Sequence, residues 1–476
     1  MDSSDNELEL SPEKRHQMVE EATKRIWDHL ENLQDQPAAD TENGAELAKQ
    51  MQEPLPEEPT SFEELLDLLF GDAIPCSVNT AHPGYLAYIP GGGLFHSAVA
   101  DLISNSVNRY VGAWLTAPAL ARIEANVIEW FCEIVDYPEE AFGLLTTGGS
   151  MANLVATITA RRENLSEAFL DGVIYTSDQS HHSVAKAAVL AGFPAENVRS
   201  VPTNNEYQIR VDRLEEMIEE DRIGGKRPFL VVGSAGTTNT GAVDNLDALA
   251  DLCDQEEMWL HADGAYGGFF TLTDKGRQQL SGIERCDSIT LDPHKGLFLP
   301  YGTGALLVRN GQALARTHAT DAEYIPDWDP DSEFVDFSHL SPELSRDFRG
   351  LRVWLPVKMH GIKPFRANLE EKLALARVAT TEIKDIDHVR VVAEPQLSTL
   401  AFRIEPPGIE GTALNELNQE LLTAINRRGR VHLSGTTLND RFTIRISVLS
   451  FRTHKEHIIH CIEDLKESTK ELLDKR

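Results

Sequence analysis

The amino-acid sequence predicts an α/β protein, a mainly parallel sheet covered by helices on both faces, with a small α+β domain after it and a helical arm before it. Three observations carry that expectation. Between about residues 115 and 310, segments with apolar residues at helical spacing alternate with short apolar runs of the kind that strands buried on both faces require. Beyond residue 363 the order changes to helix, two strands, helix, strand and closing helix, a small α+β pattern. The first 80 residues offer two helices too small to hold a core alone. The expected division of the 476 residues is an arm at 1–80, a large α/β domain at 81–362 and a small domain at 363–476.

Taken in order, Ser11-Pro12-Glu13 opens a helix, and Val19, Ala22, Ile26, Leu30 and Leu33 recur at its spacing. Such an amphipathic helix needs a partner surface. Residues 34–59, rich in Pro, Glu, Gln and Ala, read as a linker, and Thr60-Ser61-Phe62-Glu63 reads as a capping box for a second helix through Leu65, Leu66, Leu68 and Leu69. Gly91-Gly92-Gly93 follows Tyr85-Leu86-Ala87-Tyr88-Ile89-Pro90, where glycine lets backbone approach something closely. The α/β region is expected to hold helices at 118–135, 150–162, 181–191 and 245–256, with strands at 143–146, 172–176, 228–233, 258–262, 287–291 and 304–308. Residues 313–350 are polar and acidic with little periodicity and read as a long loop or lid. Strands at 389–392, 399–404 and 442–448 and helices at 413–428 and 453–473 complete the small domain.

With 41% hydrophobic and 25% charged residues, the composition is that of a globular protein. Lys plus Arg number 44 against 76 Asp plus Glu, a net charge of −32 with no local basic patch, which argues against nucleic acid and anionic membrane surfaces as partners. Five scattered cysteines lack metal-type spacing, so no metal site is predicted, and they suit a reducing cytoplasm. Neither a signal peptide nor a membrane span is expected.

The chemistry centres on Lys295. It lies in Asp292-Pro293-His294-Lys295-Gly296, a tight connection between two predicted strands. A lysine beside a turn is ordinarily just solvated; one aimed into a cleft can condense with an aldehyde if burial and nearby cations leave its amine nucleophilic. Upstream, the strand Trp259-Leu260-His261 runs into Asp263 and small residues. In open α/β sheets ligands bind beyond the carboxyl ends of the strands. Three further turns belong there: Gly148-Gly149-Ser150 at a helix start, either a plain turn or a phosphate cradle; Ser180-His181-His182-Ser183, either a helix cap or a source of imidazole; and the hydroxyls of Thr237 and Thr238 after Phe229-Leu230-Val231-Val232. A phosphate cradle, an imidazole, hydroxyls, a carboxylate and a lysine on one sheet edge suit pyridoxal 5'-phosphate. The lysine would hold the aldehyde, and the acid would keep the pyridine nitrogen protonated so that the ring accepts an electron pair.

From about residue 80 to 365 the sequence resembles the group II pyridoxal-phosphate-dependent amino acid decarboxylases, which include the aromatic-L-amino-acid, histidine and glutamate enzymes. Asp292-Pro293-His294-Lys295 resembles the family's cofactor-lysine motif, His261-Ala262-Asp263-Gly264-Ala265-Tyr266 its pyridine-binding acid, and Ser177-Asp178-Gln179-Ser180-His181 its ring-stacking histidine. The resemblance implies that Lys295 forms the internal aldimine, Asp263 pairs with the ring nitrogen and His181, rather than His182, covers the ring. It places Gly149, Ser150, Thr237 and His294 around phosphate and ring, with Ala265 beneath. It also implies fold type I with a seven-stranded sheet, a homodimer with both active sites at the interface, an arm that wraps the partner, and decarboxylation of an L-amino acid through a quinonoid intermediate.

One departure is expected to matter. Asp336-Phe337-Ser338-His339 precedes Leu344-Ser345-Arg346-Asp347-Phe348-Arg349-Gly350-Leu351, which resembles the region just after the family's mobile catalytic loop; a tyrosine ordinarily stands at the position of Phe337, and phenylalanine cannot donate a proton. Protonation by His181, His339 or water, diversion to an aldehyde through oxygen as in related aldehyde synthases, or a shifted register would each account for it. An aromatic substrate is the first expectation, since Tyr88, Ile89 and Pro90 resemble a pocket wall, although Tyr110 and Gly112 differ from the family's facing residues. Arg445 and Arg109 would instead suit an acidic substrate's carboxylate, and a diamino acid is a further alternative. A non-catalytic dimeric binding protein is the remaining one.

Overall fold

A computed structural model describes residues 8–319 and 334–475. Among them, seven strands form one sheet in the order β1-β7-β6-β5-β4-β2-β3: β1 (Phe142–Thr146), β2 (Gly172–Ser177), β3 (Val198–Val201), β4 (Arg227–Ser234), β5 (Trp259–Gly264), β6 (Ser288–Leu291) and β7 (Gly304–Val308). All pairings are parallel except those of β7, which runs antiparallel to both β1 and β6. Successive residues of a strand face opposite sides. Leu145, Val173, Val231, Leu260, Ile289 and Leu307 accordingly join one core with Ile128, Phe131, Leu214 and Leu249 of covering helices. Leu144, Ile174, Leu230, Val232 and Leu306 join the other, against Ala152, Val155 and Ala160 of helix Gly149–Asn164. Each fully buried aliphatic side chain contributes roughly 1.5 to 3 kcal/mol. The continuous apolar runs of the sequence follow from these two buried faces.

A second, fully antiparallel sheet has the order β10-β11-β9-β8, formed by β8 (Val389–Ala393), β9 (Thr399–Ile404), β10 (Ser434–Leu438) and β11 (Arg441–Ser447). Phe402, Ile404, Ile444 and Ile446 pack there against helices Lys363–Lys384, Gly411–Arg427 and Lys455–Asp474. Leu86 enters the same core, because the segment before the glycine run pairs with this sheet: its N–H donates to the His432 carbonyl and its carbonyl accepts from Ser447.

Several local expectations differ from the structure. The capping box is one residue later than expected, with Ser61 as cap and Glu64 as its reciprocal partner, because Glu64 alone reaches back to the Ser61 N–H. The 34–59 stretch contains a short helix, Gly44–Gln50. The expected loop at 313–350 begins inside helix Gln312–His318, carries a 3-10 turn at Phe337–His339, and meets helix Gly350–His360; residues 320–333 lie outside the described residues. Helix Pro12–Glu31 buries none of its residues against its own chain, and Met18, Val19 and Trp27 remain exposed. No helix among the described residues is long and apolar enough to cross a membrane, and none of their His, Cys, Asp and Glu residues form a group of three or more that could hold a metal ion.

Candidate active site

A cleft of about 270 Å³ opens where β1, β2, β4, β5 and β6 end. Each strand delivers its next residues to the cleft wall: Gly148, Gly149 and Ser150 after β1, His181 and Ser183 after β2, Gly236 and Thr237 after β4, Asp263 and Ala265 from β5, and Asp292, His294 and Lys295 after β6. Every residue expected around a cofactor therefore meets in one cavity, although the residues come from five separate connections.

Lys295 sits in a single helical turn, Pro293–Gly296, with its Nζ 2.8 Å from Asp292 Oδ2. Asp292 is 2% exposed, and its other oxygen has no hydrogen-bond partner. A buried carboxylate oxygen without a donor is costly, so the cleft is built to receive a further polar group. The His294 Nδ1–H donates to the Thr303 carbonyl at 2.7 Å, which turns its Nε2 inward, 3.7 Å from Asp292 Oδ2.

The cradle at the start of helix Gly149–Asn164 depends on two glycines. Gly148 has φ of +154°, which disfavours a side chain, and a Cβ on Gly149 would lie 3.1 Å from both Ala265 Cβ and Asp292 Oδ2. Met151 and Ala152 both donate to the Gly148 carbonyl, leaving the first-turn N–H groups of Gly149 and Ser150 without an intrahelical acceptor. An anion is stabilised at such an end. On the opposite wall, the buried Thr237 hydroxyl bonds Thr240 Oγ1 at 2.7 Å and holds the turn after β4 in shape.

Asp263 accepts from Asn153 Nδ2 at 3.1 Å and from the Ala265 N–H at 3.2 Å. His181 caps helix His182–Leu190, with its Nδ1 2.7 Å from Ser183 Oγ. Burial holds the His181 imidazole below its ordinary pKa, and the nearby Asp263 charge offsets part of that. His182 is exposed, its ring tilted against His181 at 4.1 Å and outside the cavity wall.

These residues fit pyridoxal phosphate. First-turn N–H groups suit its phosphate, a lysine amine suits its aldehyde, and a carboxylate with spare acceptor capacity suits its protonated ring nitrogen. Asn153 and Ser183 also belong to the site and were not anticipated. Their signal in the sequence was a polar residue on the buried face of an apolar helix.

The residues expected at the substrate side do not converge here. Tyr88 is 61% exposed, and neither it nor Pro90 lines the cavity of its own chain. Arg445 is 3% exposed, and four of its five N–H groups are taken: it donates to the carbonyls of Thr238, Asn239 and Tyr88 and to Ser434 Oγ, and so clasps three segments together. Phe337 is fully buried, stacked on Phe142, with the Arg346 guanidinium over its ring at 4.9 Å. It packs in the core between sheet and helix and does not line the cleft of its own chain.

Comparison with known proteins agrees with the geometry. The pyridoxal-dependent decarboxylase conserved domain matches residues 45–405. An aromatic-L-amino-acid decarboxylase of Bacillus atrophaeus is 37% identical over 98% of this chain and 97% of its own. A crystal structure of Oryza sativa TDC with pyridoxal phosphate and tryptamine superposes with a TM-score of 0.92 at 26% identity, covering 97% of this chain and 99% of that one. A Catharanthus roseus tryptophan decarboxylase in complex with L-tryptophan gives 0.90 at 25% identity over the same shares. With the matched domain spanning most of its length and the lysine, acid and imidazole in one cleft, the chain belongs to the pyridoxal-dependent decarboxylase family and is a carboxy-lyase that uses pyridoxal 5'-phosphate.

Proposed function

We propose that the protein removes the α-carboxyl group of an aromatic L-amino acid, releasing the amine and carbon dioxide. The observation that carries this reading is the meeting of Lys295, Asp263 and His181 in one cleft, in a chain that aligns end to end with an aromatic-L-amino-acid decarboxylase. Bound pyridoxal phosphate supplies an electron sink for the bond pair left by the departing carboxyl group. Lys295 would hold the aldehyde carbon, and Asp263 would accept from the protonated ring nitrogen. His181 would cover the ring, with Ala265 beneath it. Gly149, Ser150 and Thr237 would bind the phosphate, and His294 would orient the lysine turn. Asp292, 2.8 Å from Lys295 Nζ, takes up the ammonium whenever the amine is released.

The same reading includes a cytoplasmic homodimer with an arm at 1–80, a large domain at 81–362 and a small one at 363–476. Support for the dimer comes from Met18, Val19 and Trp27 of helix Pro12–Glu31, which its own chain leaves exposed, and for the reducing compartment from five free cysteines.

Purified protein is expected to show a visible absorption band that borohydride removes, and Lys295→Ala to lose both band and turnover. A screen of the twenty amino acids together with dopa, cysteate and diaminobutyrate, reading carbon dioxide, amine and peroxide in one assay, should give amine from aromatic substrates without peroxide. Amine only from an acidic or diamino acid would reject the aromatic assignment. Equal aldehyde and peroxide would reject simple decarboxylation. Mass in solution near that of one chain would reject the dimer.

A further inference from the structure

Beneath the cleft lies a line of buried polar groups that the reaction as described does not use. Trp259 Nε1 donates to Ser288 Oγ at 2.8 Å, and Ser288 Oγ lies 2.8 Å from His261 Nδ1. His261 Nε2 lies 3.1 Å from Asn153 Oδ1, which also accepts from the Thr290 hydroxyl at 2.7 Å. Asn153 Nδ2 reaches Asp263 Oδ2 at 3.1 Å and Ser183 Oγ at 3.0 Å, and Ser183 Oγ is 2.7 Å from His181 Nδ1. Apart from Trp259 at 9%, Asp263 and the partly covered His181, these groups are at most 3% exposed, so water offers no alternative partners.

The direction of each bond follows from its fixed members. A carboxylate only accepts, so the atom of Asn153 facing Asp263 is its amide nitrogen and the other is its carbonyl oxygen. A carbonyl also only accepts, so His261 carries its proton on Nε2. Its Nδ1 is then bare and takes the Ser288 hydroxyl proton, while Ser288 receives from the indole. At the far end, Ser183 Oγ receives the second Asn153 amide proton, and its own proton has one acceptor in reach, His181 Nδ1. The Ser183 backbone N–H points at the same nitrogen at 3.3 Å, which a protonated Nδ1 would repel.

We infer that Asn153 is the hub of a one-way hydrogen-bond chain, from Trp259 through Ser288, His261 and Ser183, that holds His181 as the neutral tautomer bare on Nδ1 and protonated on Nε2, while the same amide anchors Asp263. Asn153, Ser183 and His261 are thereby positioning residues. A neutral imidazole can lie flat on a pyridinium ring without cation–cation repulsion, and its Nε2–H remains a donor toward the cleft. Two donors on Nδ1 also oppose a second proton there, in line with the downward pull of burial on the same ring. The tautomer stands on the geometry alone; its effect on turnover rests on the decarboxylase reading.

The test is ring-nitrogen NMR of the cofactor-loaded full chain labelled with 15N-histidine, with His181→Gln identifying the resonance. Wild type is expected to show Nε2 protonated and Nδ1 bare near neutral pH. Asn153→Asp replaces two amide protons by at most one, which Asp263 claims, so the Ser183 hydroxyl turns toward the new carboxyl and His181 moves its proton to Nδ1. Ser183→Ala should give a mixture of tautomers and about a tenfold loss of kcat with KM changed by less than about threefold, and Ser183→Thr should restore both. If Asn153→Asp fails to fold, the serine pair decides. A protonated Nδ1 in wild type, or an unchanged tautomer in Ser183→Ala, overturns the inference whatever substrate the enzyme proves to use.

Discussion

Replacing Arg445 separates a structural clasp from a substrate ligand. The guanidinium is buried, and burial pulls its pKa down to about 10, so it stays charged at neutral pH while donating to three carbonyls and one hydroxyl. None of the carbonyls of Tyr88, Thr238 and Asn239 accepts another backbone hydrogen bond among the described residues. Arg445→Met would leave all three without this donor. At about 1 to 3 kcal/mol each, reduced by relaxation and by water entering from the Tyr88 side, the total is about 4 kcal/mol. Arg445→Lys keeps the charge but not the fork, and should lose about half as much. Thr238 and Asn239 follow Thr237 directly, so loosening them should also weaken cofactor binding, by about tenfold for the methionine variant. Denaturant unfolding of the holoenzyme and titration of the apoprotein with pyridoxal phosphate measure the two effects. Unchanged stability combined with a hundredfold rise in substrate KM would refute the clasp and restore Arg445 as a carboxylate ligand.

Three other perturbations follow from the same structure. Gly149→Ala pushes a methyl against Ala265 and Asp292, which sit at the cleft floor, and should cost about 1 to 3 kcal/mol and raise the cofactor Kd; normal melting and normal titration would show that the cradle has slack. Phe337→Tyr buries a hydroxyl beside Phe142 and Arg346, and should lower stability by about 1 to 3 kcal/mol while leaving the ratio of amine to aldehyde unchanged, so a shift in product ratio would put this side chain back in the reaction. Burial pushes the Asp287 carboxyl up to about 6 although it accepts the Leu260 N–H at 2.8 Å. Its folded form holds the proton more tightly than the unfolded chain, so this contribution to stability is full below about pH 4 and is lost as pH rises through about 6. Asp287→Asn keeps the acceptor and cannot ionise, so it should be more stable than wild type near pH 7, by at most about 3 kcal/mol, and indistinguishable near pH 4. Parallel unfolding curves at the two pH values would contradict this.

The large sheet and the chemistry at its edge were legible because both rest on local patterns. A strand buried on two faces must be apolar throughout, as in Phe229-Leu230-Val231-Val232, and a residue that ends such a strand must stand at the sheet's carboxyl edge. Lys295, Asp263 and His181 could therefore be assigned to one edge before any coordinates. What escaped depends on partners distant in sequence. Strand β10, Ser-Gly-Thr-Thr-Leu, has little intrinsic preference for extension and exists because β11 pairs with it. Arg445 lies on β11 and reads like any alternating strand residue until the turn after β4 arrives to occupy it. Asn153 reads as a weak helix former, and its role emerges only when β5 and β6 bring His261, Asp263 and Thr290 to its amide. Phe337 was placed by resemblance in register alone, and its packing against Phe142 and Arg346 depends on partners distant in sequence.

The reversed direction of β7 has a consequence for how the lysine is held. Because β6 and β7 pair antiparallel across the turn that bears Lys295, from Ser288↔Val308 to Leu291↔Ala305, that turn closes a hairpin rather than a crossover. Its two ends are tied to each other within about twenty residues, a loop closure that costs little entropy and forms early. The reactive amine is thus set by a short-range unit, whereas the acid and imidazole come from other connections of the chain. Since β7 also lies between β6 and β1 in the sheet, and β1 leads into the glycine cradle, the strand ties the lysine turn and the anion site to one common neighbour.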